Sequence, residues 1–313
     1  MTTAAPPETS ALVVGAGKDL SWVRLADGRL VLALASRKGA RTRETLVPGD
    51  RVELAPLDVR SSSDRVHHAI VARRPRRSEM RRIARGRERV VAANLDLVAI
   101  VHALADPPFD PRFVDLALAS AIHDGLSAIA VFSKLDLAEP EAVAAVAGRY
   151  AAAGVPAFPI DGKHGHGVAP FAAACDSLTV ALVGPSGAGK STLLNRLGGD
   201  AKVGELSRLG RGRQTTTMPH LAAVGAGLLF DLPGVASYAN GFDRRDLLAS
   251  FAEFEPFAAD CRFEDCAHLS EPRCAVHEAA GRAALDATRF ASYRALATEL
   301  GRRGALARAS ASA

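Results

Sequence analysis

The clearest chemical signal in this 313-residue chain is a glycine-rich loop with the pattern G-x-x-x-x-G-K-[ST]. An apolar run at 178–183 precedes the loop and predicts a buried strand, and residues 190–197 predict a helix. The glycines let backbone N–H groups converge on phosphate oxygens, and the helix N-terminus adds partial positive charge. We therefore expect the loop to bind nucleotide phosphates through Gly184, Pro185, Ser186, Gly187, Ala188, Gly189, Lys190, Ser191 and Thr192.

Within this loop, two side chains have distinct predicted roles. Lys190 would reach the β- and γ-phosphates, and the Ser191 hydroxyl would ligate Mg²⁺. A second element, D-x-P-G, follows an apolar run forty residues later. There the Asp231 carboxylate would reach Mg²⁺ through water, and the Gly234 N–H would meet the γ-phosphate. These elements predict a magnesium–nucleotide site without choosing between ATP and GTP.

The choice of base comes from the sequence Ser-Lys-Leu-Asp that follows the apolar run 127–132. Asp136 could accept hydrogen bonds from guanine N1–H and N2–H₂, a pair of donors that adenine does not offer. Lys134 could lie along the purine face, and Ser133 begins the element. This arrangement predicts GTP as the nucleotide.

A glycine- and arginine-rich stretch, 210–217, lies between the two phosphate elements and ends in three threonines. A GTPase needs a threonine here to complete Mg²⁺ coordination and sense the γ-phosphate. We predict Thr216 in this role, with Thr215 and Thr217 as competitors. Because valine and not glutamine follows Gly234, we expect Gln214 to orient the attacking water.

A compact group of cysteines and one histidine predicts a metal site near the C-terminus. Three thiolates and one imidazole make a closed tetrahedral zinc site with no open position, so the metal would be structural. A further histidine, His277, competes as the nitrogen ligand, and the distant Cys175 lies in an apolar helix and is expected in a core. The predicted ligands fall within fourteen residues: Cys261, Cys266, His268 and Cys274.

The pattern of apolar and turn-forming residues changes along the chain and predicts a multi-domain protein. Short alternating runs separated by turn signals predict an N-terminal five-stranded barrel of the oligonucleotide-binding (OB) fold over residues 11–75, after a disordered tail at 1–10. A basic linker follows at 76–90. Strands alternating with helices predict an α/β domain with a parallel sheet over 91–240. Residues 241–313 predict a mostly helical zinc-binding domain.

Charge is concentrated at the start of the chain. The first 90 residues carry 19 lysines and arginines against 10 aspartates and glutamates, and nine arginines lie between positions 73 and 89. Such a run is often a solvated face, but arginine suits phosphate, so we favour a surface that faces nucleic acid. No apolar run is long enough for a membrane span, and residues 1–10 do not resemble a signal peptide. We expect a cytoplasmic protein without membrane contact.

In ordinary GTPases the guanine element follows the phosphate elements, whereas here it precedes them. The chain resembles the circularly permuted GTPases of the RsgA (YjeQ) family over roughly residues 10–300. The resemblance rests on this permuted order, on the G-R-x-T-T-T and D-x-P-G elements, and on the cysteine cluster. The resemblance implies a circularly permuted P-loop GTPase domain and favours His268 as the zinc ligand. It also implies slow GTP hydrolysis to GDP and phosphate, stimulated by the small (30S) ribosomal subunit during its late maturation, with rRNA contact. We expect the protein to act as a monomer.

Three positions depart from the family pattern. Ser133 replaces an asparagine whose amide commonly ties the guanine element to the phosphate loop. The Ser-Ala-Lys-type element, whose backbone reads guanine O6, is here Asp161-Gly162-Lys163, and Gln214 replaces a histidine. These departures leave one alternative, a nucleotide-binding RNA scaffold with little hydrolysis. The phosphate-loop motif leaves a second, an ATP-using ATPase or kinase, because the same motif occurs in those enzymes. The second would need an LSGGQ-like signature or a kinase lid, and the sequence contains neither.

Overall fold

The computed structural model describes residues 9–17, 19–35, 45–57, 66–84, 86–198, 220–232 and 240–311. Within these ranges, side chains are described except at Thr9, Ala35 and 303–311. None of the helices in these ranges combines the length and the apolar character needed to cross a membrane.

The N-terminal strands close into a five-stranded barrel, as the alternating runs predict. Hydrogen-bonded neighbours follow the order β1-β2-β3-β5-β4, which is the OB-fold order, and β3 with β5 is the parallel pair. Fully buried side chains such as Val13, Val23 and Val52 fill its interior. Although the sequence predicts a tail over 1–10, β1 begins at Thr9. The strands are β1 (Thr9–Ala16), β2 (Leu20–Leu25), β3 (Leu30–Ala35), β4 (Arg51–Pro56) and β5 (Val66–Arg73).

The stretch predicted as a basic linker contains a β-hairpin instead. Strand β6 (Glu79–Ala84) pairs antiparallel with β7 (Arg87–Ala93). Met80 is fully buried and packs in the same cluster as the central strands of the α/β domain. The sequence did not predict β6 because its arginines dominate the composition and Met80 is its only buried side chain.

Several arginines of this stretch form ion pairs within the protein. Asp50, buried in the barrel, accepts hydrogen bonds from Arg76 Nε at 2.7 Å and Nη2 at 3.0 Å. Hydrogen bonds to Asp50 raise the pKa of Arg76 against the effect of burial. Arg74, Arg77 and Arg81 also pair with carboxylates. The arginine run is therefore not one uniform exposed face.

The α/β domain has a six-stranded sheet in the order β10-β9-β8-β11-β13-β12. The sheet is parallel except at the β12 edge, because the apolar run 221–230 turns back on itself between two strands that pair antiparallel. The strands are β8 (Leu97–Ala103), β9 (Ser127–Ser133), β10 (Ala157–Ile160), β11 (Thr179–Val183), β12 (Leu221–Val224) and β13 (Gly227–Asp231). The helices are α1 (Pro111–His123), α2 (Pro140–Ala152), α3 (Val168–Cys175) and α4 (Lys190–Arg196).

The C-terminal region is helical, as predicted. Its core contains aromatic side chains such as Phe251, Phe254 and Tyr293, and Ala119 of α1 packs into the same cluster. The described helices are α5 (Arg244–Ala249), α6 (Glu255–Ala258), α7 (Ala275–Gly281) and α8 (Ala287–Ala311).

A buried arginine joins this region to the α/β domain. The side chain of Arg289 on α8 is 1% exposed, and it pairs with the fully buried Asp115 of α1. Arg289 Nε also donates to Glu253 at 2.7 Å, and the guanidinium lies 4.0 Å from the centre of the Phe251 ring. The contact fixes α1 to the helical region through charges that water barely reaches.

Candidate functional site

The predicted phosphate loop lies between β11 and α4, in the strand–loop–helix setting that its motif requires. A Cβ on Gly184 would sit 2.1 Å from the carbonyl oxygen of Val101, so only glycine lets the loop cross β8 this closely. Gly187 and Gly189 have φ of +80° and +83°, the left-handed region that favours glycine. The backbone curl therefore depends on the glycines of the motif.

A pocket of about 390 Å³ lies over this loop. Lys190 Nζ donates to the carbonyls of Gly184 at 2.8 Å and Pro185 at 3.0 Å, which places the ammonium group above the loop. Burial lowers the pKa of Lys190 and raises that of Asp231, while their mutual attraction opposes both shifts. The pocket is lined by Lys134, Ser186, Gly187, Ala188, Gly189, Lys190, Ser191, Thr192 and Asp231.

A second pocket of about 340 Å³ adjoins the first, and Lys134, Gly189 and Thr192 line both. The fold therefore brings the predicted base element beside the phosphate loop in one continuous cleft. The second pocket is lined by Ser133, Lys134, Asp136, Leu137, Ile160, Asp161, Gly162, Lys163, Gly189, Thr192 and Leu193.

Ser133 ties the two halves of the cleft together. Its hydroxyl donates to the carbonyl of Ala188 at 2.6 Å, and the contact is buried. Serine lacks the asparagine amide, but its hydroxyl provides a tie between the base element and the phosphate loop. Serine is short, but the end of β9 approaches the loop closely enough that its hydroxyl spans the gap.

The structure shows a partner of Lys134, Asp106, that sequence reasoning missed. Lys134 has a left-handed φ of +59°, and its Nζ donates to the carbonyl of Asp106 at 2.5 Å. The Asp106 carboxylate lies 3.7 Å from the same Nζ. Asp106 follows the end of β8, and no motif marks it, because its contact uses a backbone carbonyl that every residue has.

The turn after β10 forms the far wall of the base pocket. Asp161 accepts hydrogen bonds from the N–H groups of Lys163 at 2.9 Å and His164 at 3.0 Å. The ammonium group of Lys163 lies 3.8 Å from the Asp136 carboxylate. An Asp-Gly pair directly after a strand is a turn signal that could have revealed this arrangement.

Three predicted site residues, Gln214, Thr216 and Gly234, lie outside the described ranges. The other predicted nucleotide-site residues line one or both of the adjoining pockets, except Gly184 and Pro185, whose carbonyls accept from Lys190.

The cysteine cluster is assembled as the spacing predicts. The four ligand atoms of Cys261, Cys266, His268 and Cys274 lie within 4.8 Å of one another. His268 Nδ1 is 3.6 Å from the Cys261 sulfur and 3.4 Å from that of Cys274. A tetrahedral zinc with bonds of about 2.3 Å to sulfur would separate its ligand atoms by about 3.8 Å. The residues therefore fit one metal ion.

The competing nitrogen ligand and the remaining cysteine lie elsewhere. The ring of His277 packs against that of Phe290, with centroids 5.7 Å apart, and its backbone N–H donates to the Cys274 sulfur. Cys175 is buried among apolar side chains, and burial raises its thiol pKa to about 12. Neither residue belongs to the ligand cluster.

Comparison with known proteins decides the family. A family model described as RsgA GTPase matches residues 73–240, more than half of the chain. The chain belongs to the RsgA GTPase family. This membership makes the protein a GTPase, a hydrolase, and agrees with the permuted order of its motifs.

Relatives in the RsgA family match most of the chain. A protein of Azotobacter vinelandii named small ribosomal subunit biogenesis GTPase RsgA is 35% identical, and the match covers 94% of this chain and 86% of that protein. A protein of the same name from Gemmatimonas aurantiaca is 37% identical, with 82% and 84% covered.

Solved structures share the fold of this chain over nearly its whole length. YloQ, described as a circularly permuted GTPase, superposes with a TM-score of 0.70 at 19% identity, covering 97% of this chain and 98% of that one. YjeQ from Thermotoga maritima gives 0.68 at 24% identity, covering 94% and 99%.

Proposed function

We propose that the protein hydrolyses GTP to GDP and phosphate in the joined cleft, stimulated by the small ribosomal subunit during late maturation of that subunit. The observation that carries this proposal is the continuity of the two pockets, which share Lys134, Gly189 and Thr192. A pocket of about 340 Å³ beside a phosphate-binding loop suits one nucleotide bound across both pockets. The curated names of the relatives supply the ribosomal setting.

The base would be read at the Asp136 end of the cleft. The Asp136 carboxylate would accept from guanine N1–H and N2–H₂, and the Lys134 stem would lie against the purine. Asp106 supports this position of Lys134 by accepting a hydrogen bond from its ammonium group.

The phosphates would lie over the loop, where Lys190 neutralises negative charge on the β- and γ-phosphates. Mg²⁺, bound with GTP, would be held by the hydroxyls of Ser191 and Thr216, with Asp231 acting through water. The Gly234 N–H would meet the γ-phosphate, and Gln214 would orient the attacking water. In this scheme the protein contributes position and charge, and the ion stabilises the phosphate oxygens.

The metal of the cysteine cluster would be one structural zinc ion. Cys₃His sets with closed coordination favour zinc, and His268 and Cys274 are buried where no substrate can enter. Zinc at this site would stabilise the helical region and do no chemistry.

Contact with rRNA would use arginines that the fold leaves exposed. Arg87 and Arg89 on β7 are exposed and form no ion pair in the part of the chain that the structure describes. Their guanidinium groups suit phosphate. We propose that the protein works as a monomer in the cytoplasm, where ribosomal subunits mature.

The test is phosphate release from GTP and from ATP, each with and without purified small ribosomal subunits. We expect release from GTP only, rising steeply with subunits, and its loss in Lys190→Ala. Tight GTP binding without stimulated release would favour the scaffold alternative. Equal use of ATP would show that residues 133–136 do not select guanine. In the same assay, a full stimulated rate in Gln214→Ala would exclude its role in orienting water.

A further inference from the structure

The loop that carries His268 has an unusual backbone. His268 has a φ of +56°, in the left-handed region that is uncommon for residues other than glycine. The residue is buried, and its Nδ1 is the ring nitrogen that lies within 3.6 Å of the sulfurs of Cys261 and Cys274. Because the backbone sets where the imidazole lies, the position of this ligand depends on contacts that stabilise the left-handed conformation.

The carboxylate of Glu271 supplies such contacts. Its Oε1 accepts the Ala267 N–H at 2.9 Å, and its Oε2 accepts the N–H groups of Leu269 at 2.8 Å and Ser270 at 3.1 Å. These amides lie on both sides of His268 along the chain. Hydrogen bonds to an ionised carboxylate are stronger than those between neutral groups. One side chain therefore closes the loop around the residue that carries the imidazole.

The same loop is fastened to the core of the helical region. The Tyr293 hydroxyl, on α8, donates to the carbonyl of Ala267 at 2.8 Å. Tyr293 is fully buried, and the centre of its ring lies 6.3 Å from that of the His268 ring. The group of four ligand atoms does not include Glu271, whose two oxygens are engaged by backbone amides. Its contacts therefore act on the metal site through the His268 backbone.

We propose that Glu271 is a positioning residue for the metal site, which closes the loop 267–270 so that His268 holds Nδ1 beside the sulfurs of Cys261 and Cys274. This role rests on the proposed zinc ion and extends the site to a residue that does not touch the metal. Groups that orient a metal ligand from outside the ligand set are typically worth about 10- to 100-fold in metal affinity. A loop that is already ordered also loses less conformational freedom when the ion binds.

The test measures the zinc affinity of the full chain by competition with a chromogenic chelator. Glu271→Ala should weaken zinc binding by about 10- to 100-fold, because the loop loses three hydrogen bonds and His268 loses the support of its left-handed backbone. Glu271→Gln has the same length and keeps one carbonyl oxygen for the amides. It should restore the zinc affinity to within about threefold of the wild type.

A second measurement separates positioning of the ligand from general stability. Co²⁺ bound in place of zinc reports its ligands through its d–d absorption bands, which depend on whether a nitrogen or a water oxygen joins the three sulfurs. In Glu271→Ala these bands should shift from their wild-type positions, because water replaces the imidazole in part of the population. A residue that only stabilised the fold would leave the bands of the bound cobalt unchanged.

The matched control is Asp243→Ala. The Asp243 carboxylate lies in the same helical region and also accepts backbone N–H groups, those of Arg245 and Asp246 at the start of α5. It is not one of the four metal ligands. Asp243→Ala should lower thermal stability and leave the zinc affinity and the cobalt bands unchanged.

Four results would overturn the inference and leave the proposed zinc site intact. They are a wild-type zinc affinity in Glu271→Ala, unshifted cobalt bands in that variant, a loss of affinity that Glu271→Gln does not repair, and an equal loss in Asp243→Ala. Failure of the wild-type chain to bind zinc would overturn the inference and the proposed zinc site together.

Discussion

At the scale of single residues, Ser133 shows how one hydroxyl can stand in for a longer side chain. Ser133 and Ala188 are 55 residues apart, and their hydrogen bond holds the base element to the phosphate loop. Ala188 is fully buried, so its carbonyl cannot turn to water if the hydroxyl is lost. The position of one loop therefore depends on the other.

Ser133→Ala should lower the free energy of unfolding by about 1–3 kcal/mol, because it leaves the Ala188 carbonyl without a donor. It should also weaken GDP binding, since the loop loses its tie to the base element. Denaturant unfolding and calorimetry measure the two effects. Ser133→Asn, with the residue typical of the family, should recover GDP binding.

Ser250→Ala provides the matched control for this prediction. The Ser250 hydroxyl is also buried and donates to a backbone carbonyl, that of Leu247, at 2.7 Å, but in the helical region. The control should lose stability and keep GDP affinity. Equal GDP affinity in Ser133→Ala and the wild type would show that the tie does not support the site.

At the scale of elements, the metal cluster joins helices too short to be stable alone. Helix α6 has four residues and α7 has seven, whereas isolated helices shorter than about 12 residues are marginal in water. Cys261 follows α6, and Cys274 caps α7 by accepting the His277 N–H. A bound ion would link the ends of both helices.

Removing the metal with a chelator should therefore destabilise the helical region. Its free energy of unfolding should fall by about 4 kcal/mol relative to protein with free zinc at a thousandfold excess over Kd. Elemental analysis should find one zinc per chain, and calorimetry should show a lowered transition that recovers when zinc is restored. His268→Ala should lose the metal. His277→Ala should keep it, and loss of zinc from His277→Ala alone would mean that the ligand set is wrong.

The elements that the sequence predicts well are those with strong local signals. The strand–helix alternation of the α/β domain, the loop at Gly184 and the cysteine spacing are each encoded by residues that lie close together in the sequence. The hairpin β6–β7 was hidden because arginines dominate its composition. The bonds of Ser133 to Ala188 and of Arg76 to Asp50 join distant parts of the chain, and no local pattern specifies such partners.

At the scale of the whole molecule, the buried pair of Asp115 and Arg289 connects residues 174 apart. Each charge is nearly removed from water, so the stability of each buried charge depends on its attraction to the other. Burial raises the pKa of Asp115, and the attraction of Arg289 opposes this rise. The α/β domain and the helical region should therefore unfold together.

Arg289→Met should lower the free energy of unfolding by about 3–5 kcal/mol, because it leaves the Asp115 carboxylate buried without its partner. The double variant Asp115→Asn with Arg289→Met should lose less than the sum of the two single variants. Denaturant titrations of all four proteins measure this coupling. Strict additivity would show that the two charges do not stabilise each other.

The position of β8 has a consequence for how the chain is made. All seven residues of β8 are buried, and the strand lies between β9 and β11 in the sheet. During synthesis β9 follows β8 by about two dozen residues, whereas β11 arrives only after α3. One edge of this fully buried strand is thus unpaired in the nascent chain until β11 emerges. Such an edge can pair with other chains, so a pause in translation before residue 183 is the moment at which this protein is most prone to aggregate.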